Sequence, residues 1–576
     1  MNCRWAQEIR LLVEMTGHFK FLARFLAGIP TVWVAAMFAF FAASAGIWSL
    51  PPIDRDESRF AQATAQMIEG SDYVVIRYQD TERNKKPAGI YWLQAASVSL
   101  FSDVKKREIW AYRIPSVIGA VLASVFTFLT AQRLYDQRTA LLAALLISSA
   151  PILSVEASVA RTDAFLLACI CLAQYAFIQI YARLQEGRAI GWRWPALFWL
   201  AQTAGIFIKG PIILLISALT GLGLSFGKPH FQWIKPLRPV FGFVILAIFI
   251  LPWALAINAA TEGRFLVEAI GGDMLSKLAG AQENHSGPFG YHTLLVWFMF
   301  WPAAALLLPG IIGIWRERTN WQERILIAWI VPSWIVFELA ATKLPHYVLP
   351  VFPALAIIAA RAAVDTVTPT SKLRRIGAVI YGVISLVAAG FILAFPIYLQ
   401  ETANVPWAIP AAATIGISGV FVASLFWRGR AYHGGIAACI LAAILSWIVL
   451  DGVFPRLSSF TVASRISSTL EAFELHPLKN DTPQVAVAGY SEPSAVFLLG
   501  TDTILTNGAD AASRLEAGEI AVAIIDQTEQ NEFLSHATTT QTPVNALAVI
   551  DGVNYSNGRA LSLSVYVRKP LQPRQP

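Results

Sequence analysis

Uninterrupted apolar runs recur along the chain from residue 29 to residue 453, and polar linkers separate them. Runs such as 29–50, 240–257 and 376–395 contain no charged residue. A helix of about 20 apolar residues is long enough to cross the hydrocarbon core of a bilayer, whereas a membrane barrel strand alternates apolar and polar residues over about ten positions. The pattern therefore predicts a polytopic helical membrane protein and excludes a barrel.

Comparing the apolar runs with the linkers predicts about 13 membrane spans. The spans lie near 29–50, 111–131, 139–155, 164–182, 194–208, 211–226, 240–258, 291–314, 325–341, 347–363, 376–396, 407–427 and 434–453. Every second linker is basic, as at 183–193 and 372–375, and basic linkers face the cytoplasm by the positive-inside rule. We therefore expect the N-terminus inside and everything after residue 451 outside, in the periplasm of a Gram-negative cell.

The composition supports this assignment and changes the meaning of the net charge. Hydrophobic residues make up 56% of the 576 residues and charged residues only 14%, whereas soluble domains carry about 25% charged residues. The composition therefore disfavours a water-soluble enzyme. The net charge of +7 reflects the basic linkers, and no nucleic acid partner is predicted. The four cysteines lie in the N-terminal arm or within apolar runs, which favours neither a disulfide nor a metal site.

The long outer segments divide the chain into a transmembrane domain, 1–454, and a periplasmic domain, 455–576. The first outer loop, 51–110, contains two predicted amphipathic helices, expected to lie at the membrane surface with their aromatic rings at headgroup depth. These helices are predicted at 57–69 and 90–101. After residue 455 the composition shifts to Ser, Thr, Asn and Asp with short apolar stretches, which predicts a small α/β domain. Strands are predicted at 484–488, 495–499, 520–525, 547–550 and 560–567, and helices at 465–473 and 509–515.

The first outer loop opens with a dense group of charges, Asp54-Arg55-Asp56-Glu57-Ser58-Arg59. One interpretation is a capped helix with Asp56 at the N-cap and Glu57 favoured by the helix dipole. Asp163, beside Arg161 at the outer end of another span, weighs against that interpretation. Ionisable residues at membrane depth usually face a cavity, because burying them in lipid is costly.

Basic residues recur at the same membrane level, where the positive-inside rule disfavours them. They occur in Lys85-Lys86-Pro87, Lys209-Gly210-Pro211 and Lys343-Leu344-Pro345-His346-Tyr347. Each lysine alone is explained by a side chain reaching toward anionic headgroups. Together with Asp56 and Asp163, they indicate a cavity that binds a lipid phosphate beside a carboxylate. A glycosyltransferase with a polyprenyl-phosphate donor requires such a cavity, because its leaving group is an anion and its acceptor hydroxyl must lose a proton.

These motifs resemble, in the same order along the chain, those of the lipid A aminoarabinose transferases and the wider protein-mannosyltransferase superfamily of glycosyltransferase family 39 type. The resemblance rests on 56–60, 86–92, 161–163, 209–211 and 343–350 and covers essentially the whole chain. It implies a GT-C fold, which is an all-α membrane domain of about 13 helices, here with a C-terminal α/β domain. It also implies an undecaprenyl-phosphate sugar as donor, and a bacterial inner-membrane enzyme whose active site faces the periplasm.

The resemblance also implies roles for individual residues. Asp56 matches the catalytic carboxylate of the first loop, and Asp163 matches its second-loop partner. The substrate and lipid-phosphate site is expected to contain Glu57, Arg59, Lys86, Lys209, Lys343, His346 and Tyr347. This chain departs from the aminoarabinose enzymes at Lys85, where they have Glu. A divalent metal is compatible with the family, but this sequence does not indicate one, and no cofactor is predicted.

The predicted activity is an inverting transfer of a sugar to lipid A, another envelope glycan or a protein hydroxyl. Asp56 would accept the proton of the acceptor, while Lys86, with Arg59, Lys209 or Lys343, would stabilise the departing phosphate. The alternative is a transporter or flippase of lipid-linked sugars. A transport path would distribute ionisable groups through the depth of the membrane, and Glu338 is the clearest such residue in this sequence.

Overall fold

The computed structural model describes residues 30–226, 231–269, 287–364, 371–480, 482–540, 543–554 and 557–568. The basic N-terminal arm and part of the outer segment 261–290 lie outside this range. The longer helices of the membrane domain are α1 Thr31–Ala43, α2 Asp56–Glu69, α3 Gly89–Phe101, α4 Ile109–Leu134, α5 Gln137–Ser148, α6 Pro151–Ala157, α7 Asp163–Gln185, α8 Arg193–Lys209, α9 Ile212–Ser225, α10 Pro239–Ala260, α11 Tyr291–Met299, α12 Ala304–Arg316, α13 Trp321–Leu339, α14 Phe352–Val364, α15 Ser371–Tyr398, α16 Val405–Trp427 and α17 Ala431–Trp447.

A helix or a bent pair of helices lies at each of the predicted spans. By length and composition, 7 helical segments in the described part of the chain could cross a membrane, or up to 9 if each bent pair is one span. The α5–α6 pair bends by 60°, and the pair that ends in α12 bends by 88°. The helices α1 and α9 are shorter. The prediction of a multi-pass helical membrane protein is confirmed, and its spans include broken and short helices that hydropathy does not resolve.

The two predicted helices of the first loop are present as α2 and α3, but the rings of Phe60 and Tyr91 do not lie on the surface as expected. Phe60 and Tyr91 are buried, and their ring centroids are 5.3 Å apart. The reason is that α2 packs against α3 on one side and against the C-terminal domain on the other. Helix α2 of the first loop therefore lies between α3 and the C-terminal domain.

The first loop contains a short hairpin of β1 Arg77–Tyr78 and β2 Thr81–Glu82. The strands of the C-terminal domain are β3 Gln484–Ala488, β4 Ile504–Thr506, β5 Ile520–Asp526, β6 Val544–Asn554 and β7 Arg559–Arg568. They form a five-stranded sheet in the order β4-β3-β5-β7-β6. The longer helices of the domain are α18 Val462–Ala472, α19 Pro493–Leu499, α20 Gly508–Ala517 and α21 Gln530–Thr539. β3 pairs in parallel with β4 and β5, whereas β7 pairs antiparallel with β5 and β6. The predicted α/β domain is confirmed.

One predicted strand is wrong, and a strand and one of the longer helices were not predicted. Residues 495–499 belong to helix α19, because Pro493 occupies the favoured first helical turn and Gly500 ends the helix with φ 110°. Its apolar residues face both the sheet and the first loop, so the helix has no polar face. In sequence, such a short apolar run cannot be distinguished from a buried strand. The short edge strand β4 and the polar helix α21 have too few apolar residues to stand out.

The C-terminal domain packs directly on the first loop. The backbone N–H of Ser494 donates to Oδ1 of Asp54 at 3.1 Å, and Nε2 of Gln62 donates to Oγ1 of Thr501 at 2.8 Å. The ring of Phe497 is buried edge-on against Tyr112, with centroids 5.2 Å apart. These contacts hold the start of α2, and thus Asp56, in a fixed place relative to the bundle.

Candidate active site

Several elements that are far apart in sequence bring ionisable side chains to one end of the bundle, beside the first loop. These elements are the first turn of α2, the end of α6, the segment 158–163, the end of α8 and the helical turn Pro345–Val351. The ionisable residues that they supply form a contiguous group, which we call the charge chain. Its members, in order of contact, are Asp56, Arg161, Glu156, His346, Asp163 and Lys209.

Asp163 and Lys209 form the inner end of the charge chain. The Lys209 ammonium lies 2.6 Å from Oδ1 of Asp163, and Nε2 of His346 lies 3.9 Å from the same oxygen. Lys209 is the last residue of α8, because Gly210 adopts φ 78° and ends the helix. The sequence Lys-Gly-Pro thus places an ammonium at the helix end, where Asp163 begins α7.

Asp56 and Arg161 form the outer end of the charge chain. Nη2 of Arg161 lies 3.3 Å from Oδ2 of Asp56, and 52% of the Asp56 side chain is exposed. Nη1 of Arg161 also lies 3.7 Å from Glu156, and Nδ1 of His346 lies 3.4 Å from that carboxylate. Asp163 has only 9% of its side chain exposed. Of the two predicted catalytic carboxylates, Asp56 is therefore the one that a substrate can reach.

The charges around Asp56 determine its protonation. Burial alone would raise the pKa of Asp56, but the guanidinium groups of Arg161, Arg83 and Arg59, together with Lys209, outweigh burial and hold the pKa below its usual range. Asp56 is consequently a carboxylate at neutral pH. It lies where several cations converge, as a phosphate-containing substrate requires.

Comparison with known proteins shows which proteins the chain resembles. Residues 85–255 match the dolichyl-phosphate-mannose-protein mannosyltransferase family. The undecaprenyl phosphate-alpha-4-amino-4-deoxy-L-arabinose arabinosyl transferase of Pseudomonas paraeruginosa is 26% identical over 511 residues, which cover 85% of this chain and 84% of that protein. The corresponding transferase of Pseudomonas aeruginosa is 28% identical over 481 residues, covering 82% of this chain and 79% of that protein.

The chain shares its fold with a solved crystal structure. The crystal structure of ArnT from Cupriavidus metallidurans bound to undecaprenyl phosphate gives a TM-score of 0.74 at 17% identity, covering 92% of this chain and 97% of that chain. The chain is a glycosyltransferase with the GT-C fold, and it is similar to the protein-mannosyltransferase superfamily. The predicted resemblance, fold and enzyme class are confirmed.

Asp56 does not cap helix α2 of this glycosyltransferase. The helix begins at Asp56 itself, and the preceding residue, Arg55, occupies the N-cap position with φ 65°. The backbone N–H of Ser58 bonds to the carbonyl of Ile53, while the Asp56 side chain pairs with Arg161. The capping interpretation of Asp56 is therefore wrong, and its carboxylate is not needed to satisfy the helix terminus.

Glu57 also differs from its predicted role in substrate binding. Its side chain is fully buried in an ion pair with Arg113, whose Nε lies 2.8 Å from Oε1. Nη2 of Arg113 donates to Oε2 at 2.9 Å, and the backbone N–H of Ala160 donates to Oε1 at 2.7 Å. Both carboxylate oxygens are thus occupied inside the protein. Glu57 anchors α2 to helix α4 and does not line the site.

Not all of the other predicted residues reach the charge chain. Arg59 is half-buried and contributes to the low pKa of Asp56. Lys86 is half-buried in the segment just before α3, and the ring of Tyr347 packs edge-on against His346, with centroids 5.2 Å apart. Lys343 is not brought to the charge chain, because its ammonium donates to the carbonyls of Gly287 and Ala340 at 2.9 and 3.0 Å.

Three residues of the site were not among the predicted set: Arg83, Arg161 and Glu156. Arg83 donates through Nε to the hydroxyl of Tyr91 at 3.3 Å, and its guanidinium lies 5.3 Å from the centroid of the Phe60 ring. The sequence contained one indication of a further site residue. Glu156 is a single carboxylate within an apolar run, and such residues usually face a cavity. No group of three or more His, Cys, Asp or Glu side chains within the described ranges is placed to hold a metal ion.

Proposed function

We propose that this enzyme transfers a sugar from an undecaprenyl-phosphate donor to an extracytoplasmic acceptor such as lipid A, with inversion at the anomeric carbon. The observation that carries the proposal is the charge chain, in which an exposed carboxylate lies among cations at one membrane level. The names of the relatives, and the lipid carrier bound to ArnT from Cupriavidus metallidurans, support this donor class. The position of the charge chain at one end of the bundle favours a transferase over a transport path.

The reaction needs one bond to form and one to break. The acceptor oxygen attacks the anomeric carbon, and the bond from that carbon to the phosphate oxygen breaks, so that the phosphate leaves with the electron pair. When the acceptor is a hydroxyl, Asp56 takes its proton, because Asp56 is an exposed carboxylate at neutral pH. An acceptor phosphate is already ionised and needs no base.

The cations around Asp56 supply the electrostatic part of catalysis. Arg59, Arg83 and Arg161 all act on the Asp56 carboxylate, and a leaving phosphate beside that carboxylate experiences the same positive potential. Lys209 is held by Asp163, so its ammonium is fixed before substrate binds. Preorganised cations of this kind stabilise developing negative charge without reorganisation during the reaction.

Lys86 is proposed to contact the donor phosphate. Lys86→Ala is expected to weaken apparent donor affinity by at least about tenfold, because hydrogen bonds to charged groups contribute about 1.5–3 kcal/mol. The protein should still fold, since a loop lysine contributes little to packing. The matched control is Lys85→Ala, which removes the same charge from the exposed neighbour. Equal donor affinity of the two variants would show that Lys86 does not contact the donor phosphate.

We also propose that the protein lies in the bacterial inner membrane, with the charge chain and the C-terminal domain facing the periplasm. In a cysteine-free background, an impermeant thiol reagent added outside should label cysteines at Lys105 and Ser535. It should not label cysteines at Gln185 and Thr319, which lie in basic linkers. All four positions are exposed. External labelling at Gln185 with none at Ser535 would contradict the orientation.

The proposed activity is tested by reconstitution. The purified enzyme in liposomes receives undecaprenyl-phosphate 4-amino-4-deoxy-arabinose and lipid A, and mass spectrometry follows the mass of lipid A. A gain of one sugar, absent with the Asp56→Asn variant, supports the proposal. Movement of the donor across the bilayer without a glycosylated product would instead indicate a transporter. Comparing envelope glycolipids of deletion and wild-type cells identifies the natural product.

A further inference from the structure

A groove lies at the end of the bundle opposite the charge chain, where helix α15 begins and helix α16 ends. Its volume is 520 Å³, and its lining combines two cations with apolar side chains. The lining residues are Lys372, Arg375, Ile376, Val379, Ile380 and Trp427. The proposed catalytic site does not use this groove, so a role for it is independent of the sugar transfer.

The rim of the groove is strongly basic. The stretches 371–375 and 428–430 together contain five cations, Lys372, Arg374, Arg375, Arg428 and Arg430, and no acidic residue. The guanidinium of Arg375 lies 5.1 Å from the centroid of the Trp427 ring, which orients the cation at the mouth of the groove. Each Lys or Arg near an anionic leaflet contributes about 1 kcal/mol of attraction. The rim therefore has the charge to hold a phosphate.

The wall of the groove is apolar and open to the surrounding hydrocarbon. Ile376 and Val379 are 38% and 54% exposed, and both lie on α15 within one turn of Arg375. Further along, α15 and α16 close together, because Gly419 faces Ser385 so tightly that a Cβ at this glycine would lie 2.7 Å from the serine Cβ. The groove is thus a short slot, charged at its mouth and apolar along its wall.

We propose that this groove binds an anionic phospholipid of the cytoplasmic leaflet, with the headgroup phosphate between Lys372 and Arg375 and an acyl chain along Ile376 and Val379. The basic mouth selects a phosphate, and the apolar wall selects a lipid over a soluble phosphate. Trp427 adds an aromatic ring of the kind that anchors helices at the membrane interface. Basic pockets between membrane helices on the cytoplasmic side have the chemistry to bind such headgroups.

The experiment uses the whole purified enzyme in detergent, incubated with equal amounts of phosphatidylglycerol and phosphatidylcholine. Native mass spectrometry counts the bound lipids. The wild-type enzyme is expected to retain at least about fivefold more phosphatidylglycerol than phosphatidylcholine, and Lys372→Gln/Arg375→Gln is expected to lose most of this preference. The control, Arg316→Gln/Arg318→Gln, removes two cations beside another tryptophan, Trp315, and should keep it.

Each other outcome counts against the proposal. If both double variants lose the preference equally, the effect is general charge attraction and not this groove. If glycerol phosphate in excess displaces the lipid, the site takes a soluble phosphate. If the Lys372→Gln/Arg375→Gln enzyme elutes as a folded monodisperse protein and retains phosphatidylglycerol as well as the wild type, the groove does not bind the headgroup. Sugar transfer by the same preparations is a separate measurement, so failure of one proposal is distinguishable from failure of the other.

Discussion

Replacing Asp56 by Asn should lower turnover by at least about a hundredfold and leave the protein folded. The two side chains have nearly the same shape, but the amide does not accept a proton from an attacking hydroxyl. The structure separates this effect from a folding effect. Asp56 is the first residue of its helix and its side chain caps nothing, and half of that side chain is exposed. The measurement is the rate of sugar transfer by the purified variant, with its thermal midpoint beside it.

The control for this variant is Asp103→Asn in the same outer loop. Asp103 is an exposed carboxylate that accepts the backbone N–H of Lys105 at 2.8 Å, and an N-cap accepts Asn as well as Asp. It should therefore keep normal turnover. Normal turnover of Asp56→Asn would exclude Asp56 as the base, and either Asp163 or an acceptor phosphate that needs no base would then have to explain the activity.

The pH profile gives a second measure of the same carboxylate. The pKa of Asp56 is held below its usual range, so Asp56 stays ionised as the pH falls from 7. The enzyme is therefore expected to lose activity through protonation of Asp56 only at strongly acidic pH. Arg161→Gln removes the cation with the largest effect on this carboxylate, so the pKa of Asp56 rises and the acidic limb of kcat/KM moves to higher pH. An unmoved limb would mean that another group sets it.

Replacing Arg113 by Met is expected to lower the free energy of unfolding by about 3–5 kcal/mol, since it leaves the buried Glu57 carboxylate without its partner. Arg113 is fully buried. Besides Glu57, its guanidinium donates to the carbonyls of Ile47, Leu50 and Pro51 at 3.0, 2.8 and 2.9 Å. It therefore joins α4, the end of the first span and α2. The measurement is the thermal midpoint and the yield of monodisperse protein in detergent.

The double variant Arg113→Met/Glu57→Gln is the control for this prediction. It removes both charges, so no uncompensated carboxylate stays buried, and part of the lost stability should return. A wild-type thermal midpoint for Arg113→Met alone would show that the ion pair does not hold α2 in place. Substitution of Asp56 is thus expected to lower turnover, whereas breaking the ion pair of the neighbouring Glu57 is expected to lower stability.

The difference between these two neighbours also shows what the sequence could not predict. Spans and the membrane level of the charges follow from hydropathy, and Asp163 and Lys209, both predicted, do meet. Adjacent residues on a helix point about 100° apart, but no local pattern tells which of Asp56 and Glu57 faces the interior. That choice depends on Arg113, which lies 56 residues further along the chain than Glu57.

The misplaced and missing site residues have the same cause. Lys343 belongs to a motif with His346, yet the turn that begins at Pro345 directs His346 to the charge chain and leaves Lys343 on backbone carbonyls. Arg83 joins the site because the loop before α3 folds back over Phe60. Both outcomes depend on the tertiary packing of loops. Such packing leaves no periodic pattern or motif spacing in the sequence from which it could be predicted.

The packing of the C-terminal domain on the first loop has a consequence for how the enzyme is made. Asp54 and Ser494 are separated by 440 residues, and Gln62 and Thr501 by 439. The loop that carries Asp56 is synthesised early, whereas the surface that supports it is synthesised more than 400 residues later. Contacts between residues so far apart form late, because the long intervening chain must first be ordered. The loop is therefore expected to become ordered only when the C-terminal domain has folded against it, so a chain that stops before residue 455 is expected to insert its helices and still lack an ordered first loop.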